Sequence, residues 1–217
     1  GSGKSTLAKL LIHYYDVLEG SISIGGQNLQ DMSLKALNKE ISYVSQDKYL
    51  FNTSLLENIR IGNFSATDEE VIEAAKKAQC MEFLDKLPNG IYSLAGEAGK
   101  MLSGGERQRI SLARAILKNA PIVVLDEATA YADPENEEKM EAAIRELVKG
   151  KTLIVIAHKL PAIVDADQIL VMNHGRLVAN GKHNDLLESS ADYRKLCDAT
   201  LFSKDWKISR KEGEMNV

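Results

Sequence analysis

Apolar positions along the chain recur first at a helical period and then in strand-length runs. Leu7, Leu10, Leu11 and Tyr14 fall three or four residues apart, which predicts a helix over residues 4–15, directly after a glycine-rich turn. Ser21-Ile-Ser-Ile24 alternates and meets Gly25-Gly26, as a short strand closed by a turn should. Ile41 to Ser45 reads as another strand, with Gln46 at its end. Two helices are marked by capping boxes. Thr67 with Glu70 opens one running to Gln79, and Ser103 with Glu106 opens one running to about Lys118. Pro121 to Leu125 lacks alternation, so a strand covered on both faces is expected. Asp133-Pro134 supplies an N-cap and a first helical residue, Gly150 closes that helix, and Thr152 to Ala157 is a second apolar strand. Residues 168–172 and 176–179, joined through Asn173-His-Gly175, read as a hairpin.

Strands and helices alternating in this order predict an α/β fold, a mostly parallel sheet with helices on both faces. A length of 217 residues, 44% of them hydrophobic and 27% charged, is enough for one domain with a real core over about residues 1–200 and a polar tail, 201–217. Lys plus Arg total 27 against 31 for Asp plus Glu, a net charge of −4, so no nucleic-acid partner is expected. Cys80 and Cys197 suit neither a disulfide framework nor a zinc site, which fits a reducing compartment. No apolar run approaches the roughly 20 residues that cross a bilayer, and the first residues do not resemble a signal peptide.

Three stretches carry chemistry. Gly1-Ser-Gly-Lys-Ser-Thr6 is the back half of a phosphate loop, G-x-x-x-x-G-K-[ST]. Its glycines let backbone N–H groups curl around phosphate oxygens, Lys4 places a charge at the β- and γ-phosphates, and Ser5 offers a hydroxyl to Mg²⁺. Taken alone, it could also be a Gly-Ser turn opening an ordinary helix. Ile122-Val-Val-Leu-Asp-Glu127 ends a buried strand in two acids, which is costly unless they meet a cation or a reacting group. Asp126 would bind Mg²⁺, directly or through water, and Glu127 would orient an attacking water; a solvated strand end is the plainer alternative. Leu102-Ser-Gly-Gly-Glu106 puts two glycines behind a serine cap, a second anion-binding helix end, or simply a well-capped helix.

Together with Gln46, Asp133 and His158, these motifs fall in the order and spacing of an ABC-transporter nucleotide-binding domain, which the chain resembles over about residues 1–200. They look like its Walker A, Q-loop, signature, Walker B, D-loop and H-loop. The resemblance implies a P-loop NTPase fold with a helical subdomain at about 52–118 that carries the signature. It implies an ATPase using ATP and Mg²⁺, whose two copies pair head to tail as a homo- or heterodimer. Each ATP is then held between Gly1, Ser2, Gly3, Lys4, Ser5 and Thr6 of one copy and Ser103, Gly104 and Gly105 of the other. Gln46 would touch Mg²⁺ or the attacking water, alongside Ser5 and Asp126. His158 would hydrogen-bond the γ-phosphate and hold the water of Glu127.

Phe51 to Gly62 and Ala95-Gly-Glu-Ala-Gly99 are similar to exporter-type segments, in which an acid such as Glu97 meets the membrane part. A transmembrane domain fused upstream is therefore expected, with this piece cut within Walker A and placed at the cytoplasmic face of the cell membrane. Three features depart from the common family pattern: Tyr131 before Asp133, Glu106 for Gln, and Lys159 for Arg. Arg107 and Arg109 are read as balancing local acids, with approach to the nucleotide as the alternative, and His13, His174, His183, Cys80, Cys197 and Trp206 as structural. Two other readings are a soluble, non-transport ABC ATPase (translation, DNA or cofactor assembly) and a nucleotide-binding regulator without turnover.

Overall fold

The computed structural model describes residues 2–126, 134–157 and 163–199. They form two compact units, residues 8–126 with 134–156, and residues 2–7 with 157 and 163–199. In chain order the elements are α1 (Lys4–Leu11), β1 (Ser23–Ile24), β2 (Gln27–Asn28), α2 (Leu34–Glu40), β3 (Ile41–Val44), α3 (Leu55–Arg60), α4 (Asp68–Lys77) and α5 (Met81–Leu84). There follow α6 (Gly104–Lys118), β4 (Ile122–Asp126), α7 (Pro134–Val148), β5 (Thr152–Ile156), β6 (Ile169–Asn173), β7 (Arg176–Gly181) and α8 (His183–Ser189).

In the first unit β4 runs parallel between β3 and β5, with Val44 opposite Leu125 and Asp126 opposite Ile156. Side chains of a strand alternate between faces, so β4 feeds two cores. Val123 and Leu125 pack with Leu55, Ile59, Leu84, Ile110, Leu112 and Met140, from the helices that lie between β3 and β4 and from α7. Val124 enters the other core with Ala8, Leu29, Leu37, Ile41 and Ile156. Leu55, Ile59, Leu84, Ile110 and Leu112 have no exposed surface, each worth about 2 kcal/mol of transfer from water. The expected strand buried on both faces is therefore present.

Both expected capping boxes form. The Thr67 hydroxyl accepts from the Glu70 N–H at 3.3 Å, and the Glu70 carboxylate accepts from the Thr67 N–H at 2.8 Å. Helix α1, however, stops at Leu11 instead of Tyr15. His13 takes φ 55°, its N–H donates to the Leu10 carbonyl and that of Tyr14 to the Lys9 carbonyl. This pair of bonds is a Schellman ending, and it leaves Tyr14 exposed although its spacing suits a helix face. The strand expected at 21–24 keeps only two residues, paired across Gly25-Gly26. β5 is less covered than its composition suggests, with Thr152 and Leu153 exposed, because it lies at an edge of the three strands. The short helices α2 and α3 escape periodicity analysis, yet each has a serine cap: Ser33 accepts from the Ala36 N–H and Ser54 from that of Glu57. The cap expected from Asp133 lies outside the described residues; α7 does begin at Pro134.

In the second unit β6 and β7 form the expected antiparallel hairpin. Both central turn residues have positive φ, His174 at 46° and Gly175 at 75°, the geometry whose twist matches that of the strands. Leu186, Tyr193 and Cys197 close a small core on Ile169 and Val171. His183 shares a 2.7 Å hydrogen bond with the Tyr193 hydroxyl, a structural role. Cys80 and Cys197 are buried thiols without a disulfide. The tail, 201–217, lies outside the described residues.

The tightest backbone approach in the first unit is at Gly62, just after α3, where a Cβ would lie 2.2 Å from the Arg114 carbonyl oxygen of α6. Gly62→Ala should lower stability by about 1–3 kcal/mol, read from denaturant or thermal midpoints. An unchanged midpoint would show that this packing is not so close.

Candidate functional site

Ser2 to Thr6 turn directly into α1. Gly3 takes φ +92°, where a Cβ is strained, and a Cβ there would also lie 3.2 Å from the Gly175 Cα. The Gly175 N–H donates to the Ser2 carbonyl at 3.1 Å, so the β6–β7 turn supports the loop from behind. The helical ladder starts with the Leu7 N–H donating to the Gly3 carbonyl, and the N–H groups before it point out of the positive end of α1. The Lys4 ammonium lies back over the loop and donates to the Ser2 hydroxyl at 3.0 Å. Ser2, Gly3, Lys4, Ser5 and Thr6 thus form one cationic, donor-rich turn. Gly1 lies outside the described residues.

A second cluster forms where β3 and β4 end. Parallel register brings the carboxyl ends of the two strands to the same side, with Asp126 the last residue of β4 and Gln46 two residues beyond β3. Gln46 is exposed, whereas Asp126 is only 6% exposed. Asp126 shares a sheet face with Val124, the face that Ala8, Leu11 and Ile12 cover. The Tyr43 hydroxyl donates to Asp126 Oδ2 at 2.8 Å. Burial, and then this carboxylate, push the Tyr43 hydroxyl well above its ordinary pKa, so it stays a donor.

The third cluster is the N-terminus of α6. The Ser103 hydroxyl accepts from the Glu106 N–H at 3.3 Å, and the Glu106 carboxylate accepts from the Ser103 N–H at 2.7 Å. Glutamate at this position therefore serves as the cap partner, with its charge at the favourable end of the helix dipole. The two glycines differ. A Cβ on Gly105 would lie 3.2 Å from the Asn136 Oδ1 of α7, whereas one on Gly104 would meet nothing within 4 Å among the described residues. A side chain at Gly105 would crowd Asn136; at Gly104 it would enter space left open by the described residues.

The arginines of α6 correct the sequence expectation. Arg107 donates to the carbonyls of Leu102 at 2.6 Å and Gly99 at 3.4 Å. Arg109, 3% exposed, donates to Asn136 Oδ1 at 2.6 Å and lies 5.3 Å from the centre of the Phe83 ring. Their partners among the described residues are carbonyls, an amide and a ring, instead of the acids expected. Sequence reading missed Arg114. Its guanidinium donates to the Asn58 carbonyl at 2.6 Å, to Asn58 Oδ1 at 2.7 Å and to the Tyr49 carbonyl at 2.9 Å. Asn58, fully buried, also bonds both backbone groups of Phe51. This network fastens the segment after Gln46 to the signature helix, and burial brings the Arg114 pKa down to about 10. An asparagine on the apolar face of Leu55-Leu-Glu-Asn-Ile59 was the one sequence signal for it.

Among the described residues no group of three or more His, Cys, Asp or Glu could hold a metal. Gln46 and Asp126, at the ends of β3 and β4, offer hard oxygens, the ligand type that Mg²⁺ takes and that zinc centres of thiolate and imidazole do not. Glu127, Asp133 and His158 lie outside the described residues.

The family model described as "ABC transporter" matches residues 1–130, well over half of the chain. The chain belongs to the ABC transporter family. It has the P-loop NTPase fold of that family's nucleotide-binding domain and is similar to the corresponding part of exporters. An "ATP-dependent lipid A-core flippase" of Legionella pneumophila (strain Paris) is 46% identical over 204 residues, 94% of this chain and 35% of that protein. "ABC transporter B family member 4" of Dictyostelium discoideum is 45% identical over 201 residues, 93% of this chain and 26% of the relative. The solved structure of a bacterial Atm1-family ABC exporter with ATP bound aligns with a TM-score of 0.85 at 40% identity, over 91% of this chain and 35% of that one. The chain thus spans about a third or less of the length of these relatives.

Arg114 offers a test of the network. Arg114→Ala leaves buried carbonyls without their donor and should cost about 3 kcal/mol in denaturant unfolding. Arg114→Lys keeps the charge but loses the fork, and should recover less than half of that. Full recovery by lysine would mean that charge alone matters.

Proposed function

We propose that the chain is the ATP-driven motor of a membrane transporter and that it works as one half of a head-to-tail pair of ATPase domains. The observation that carries this reading is the open helix end at Ser103-Gly104, a second anion surface that neither the packing of α6 nor its cap requires. One chain with two such ends can serve two nucleotides, each closed over by a neighbour. In this scheme Gly1, Ser2, Gly3, Lys4, Ser5 and Thr6 cradle the phosphates of one ATP, and Ser103, Gly104 and Gly105 of the other copy cap it. Ser5, Gln46 and Asp126 would hold Mg²⁺, which supplies charge neutralisation at the phosphates when bound. Glu127 and His158 hold the attacking water in line. Its oxygen bonds the γ-phosphorus while the bond to the β–γ bridging oxygen breaks, the proton that the water loses passes to an oxygen of the departing phosphate, and ADP and phosphate leave. Lys4 and the partner's cap stabilise the developing charge, so the gain comes from positioning and electrostatics.

A transmembrane domain, upstream in the full-length protein, is the partner that turns this cycle into transport, which places the domain at the cytoplasmic face of the membrane. In support, Glu97 presents its side chain with 82% exposure beside the exposed Leu94 and Met101, and Tyr49 and Phe51 are about half exposed. Phe51 and Glu97 lie in the two segments that resemble exporter-type ones, and Tyr49, Leu94 and Met101 flank those segments. The flippase and exporter relatives favour this reading over a soluble ATPase or a regulator without turnover.

Glu127→Gln in the full-length protein should retain ATP binding, lose phosphate release by at least about a hundredfold, and accumulate the closed pair. Turnover at the normal rate would overturn the role of Glu127.

A further inference from the structure

β3 delivers a second polar group to the site besides Gln46. Tyr43 stands opposite Val124 in the parallel register, and Asp126 lies two residues further along β4 on the same face. Two residues of strand span about 6.6 Å, a distance that a tyrosine ring laid along the sheet can cover. The ring packs partly buried in the core that holds Val124 and Ile156, and its hydroxyl meets Asp126 Oδ2 at 2.8 Å, a normal O–H···O length.

We propose that Tyr43 is a positioning residue for the divalent cation site: its hydroxyl, held by the packed ring, sets the plane of the Asp126 carboxylate. This rests on the assignment of Asp126 to the metal made above and adds a residue that the assignment does not contain. The need is physical. The terminal torsion of an aspartate is broad, so nothing in the side chain itself chooses the carboxylate plane. Magnesium demands near-octahedral geometry and tolerates misdirected ligands poorly, whether they bind directly or through water. An ionised carboxylate only accepts, so the partner that orients it must be a donor, and phenylalanine or leucine at this position could pack but not orient. Because Tyr43 and Gln46 ride on the same strand and its extension, β3 places both its polar groups at the end of β4.

The test uses the full-length transporter, with Tyr43→Phe compared against Asp126→Asn. Three quantities are measured: Mn²⁺ binding in the presence of ATP by electron paramagnetic resonance, the Mg²⁺ concentration that half-saturates ATPase activity, and ATP binding in chelator. Tyr43→Phe should weaken apparent cation affinity roughly tenfold in both metal measurements, with ATP binding in chelator at the wild-type level. Tyr43→Leu should show the same cation defect, since it too lacks the hydroxyl. If Tyr43→Phe leaves cation affinity unchanged while Asp126→Asn weakens it, this inference fails and the assignment of Asp126 stands. If neither variant changes it, the assignment itself fails. Loss of ATP binding in chelator in Tyr43→Phe would show a role in folding and would also overturn the proposal.

Discussion

The structure depends on β4 being held at both edges and on both faces. Its backbone groups pair with β3 and β5, so a strand of five residues can run through the interior without stranded N–H or C=O groups. Its side chains then divide between two cores, Val123 and Leu125 to the helices on one side, Val124 to α1 and α2 on the other. A strand this well clamped can end in a nearly buried carboxylate. Asp126 is tolerable there because the Tyr43 hydroxyl meets it.

The helix α6 carries a different division of labour. Its buried length, through Ile110, Leu112 and Ala113, anchors it in the core. Arg114 near its end ties it to the segment that follows Gln46. Its N-terminus, by contrast, is left to solvent at Gly104. Rigid support at one end and an open donor surface at the other suit a helix that must present backbone groups to something outside its own chain.

The glycines show how packing and function can be separated by geometry. At Gly3 a positive φ and a close neighbour both demand the residue, at Gly62 close backbone approach demands it, and at Gly105 a side chain would crowd Asn136. Among the described residues, none of these constraints acts on Gly104. A glycine inside the first turn of a helix normally weakens that helix, so its presence in an unconstrained position points to a ligand or partner that needs the backbone exposed.

Much of this was legible in the amino-acid order. The capping boxes at Thr67 and Ser103, the apolar run of β4 and the Asn173-His-Gly175 turn are local patterns whose physics is complete within a few residues, and they form as read. So, too, the motif spacing was enough to point to the family. Tertiary structure decided what depends on residues far apart in the chain: that Tyr43 reaches Asp126 across 83 positions, that Arg114 closes on Asn58 and Tyr49, and that Arg109 grips Asn136 and Phe83 rather than an acid. A polar side chain bonds whichever donor or acceptor packing brings within about 3 Å, and local order does not encode that distance. α1 ends at a left-handed His13, where spacing alone would carry it to Tyr15, through two local backbone bonds that the spacing of apolar residues does not register.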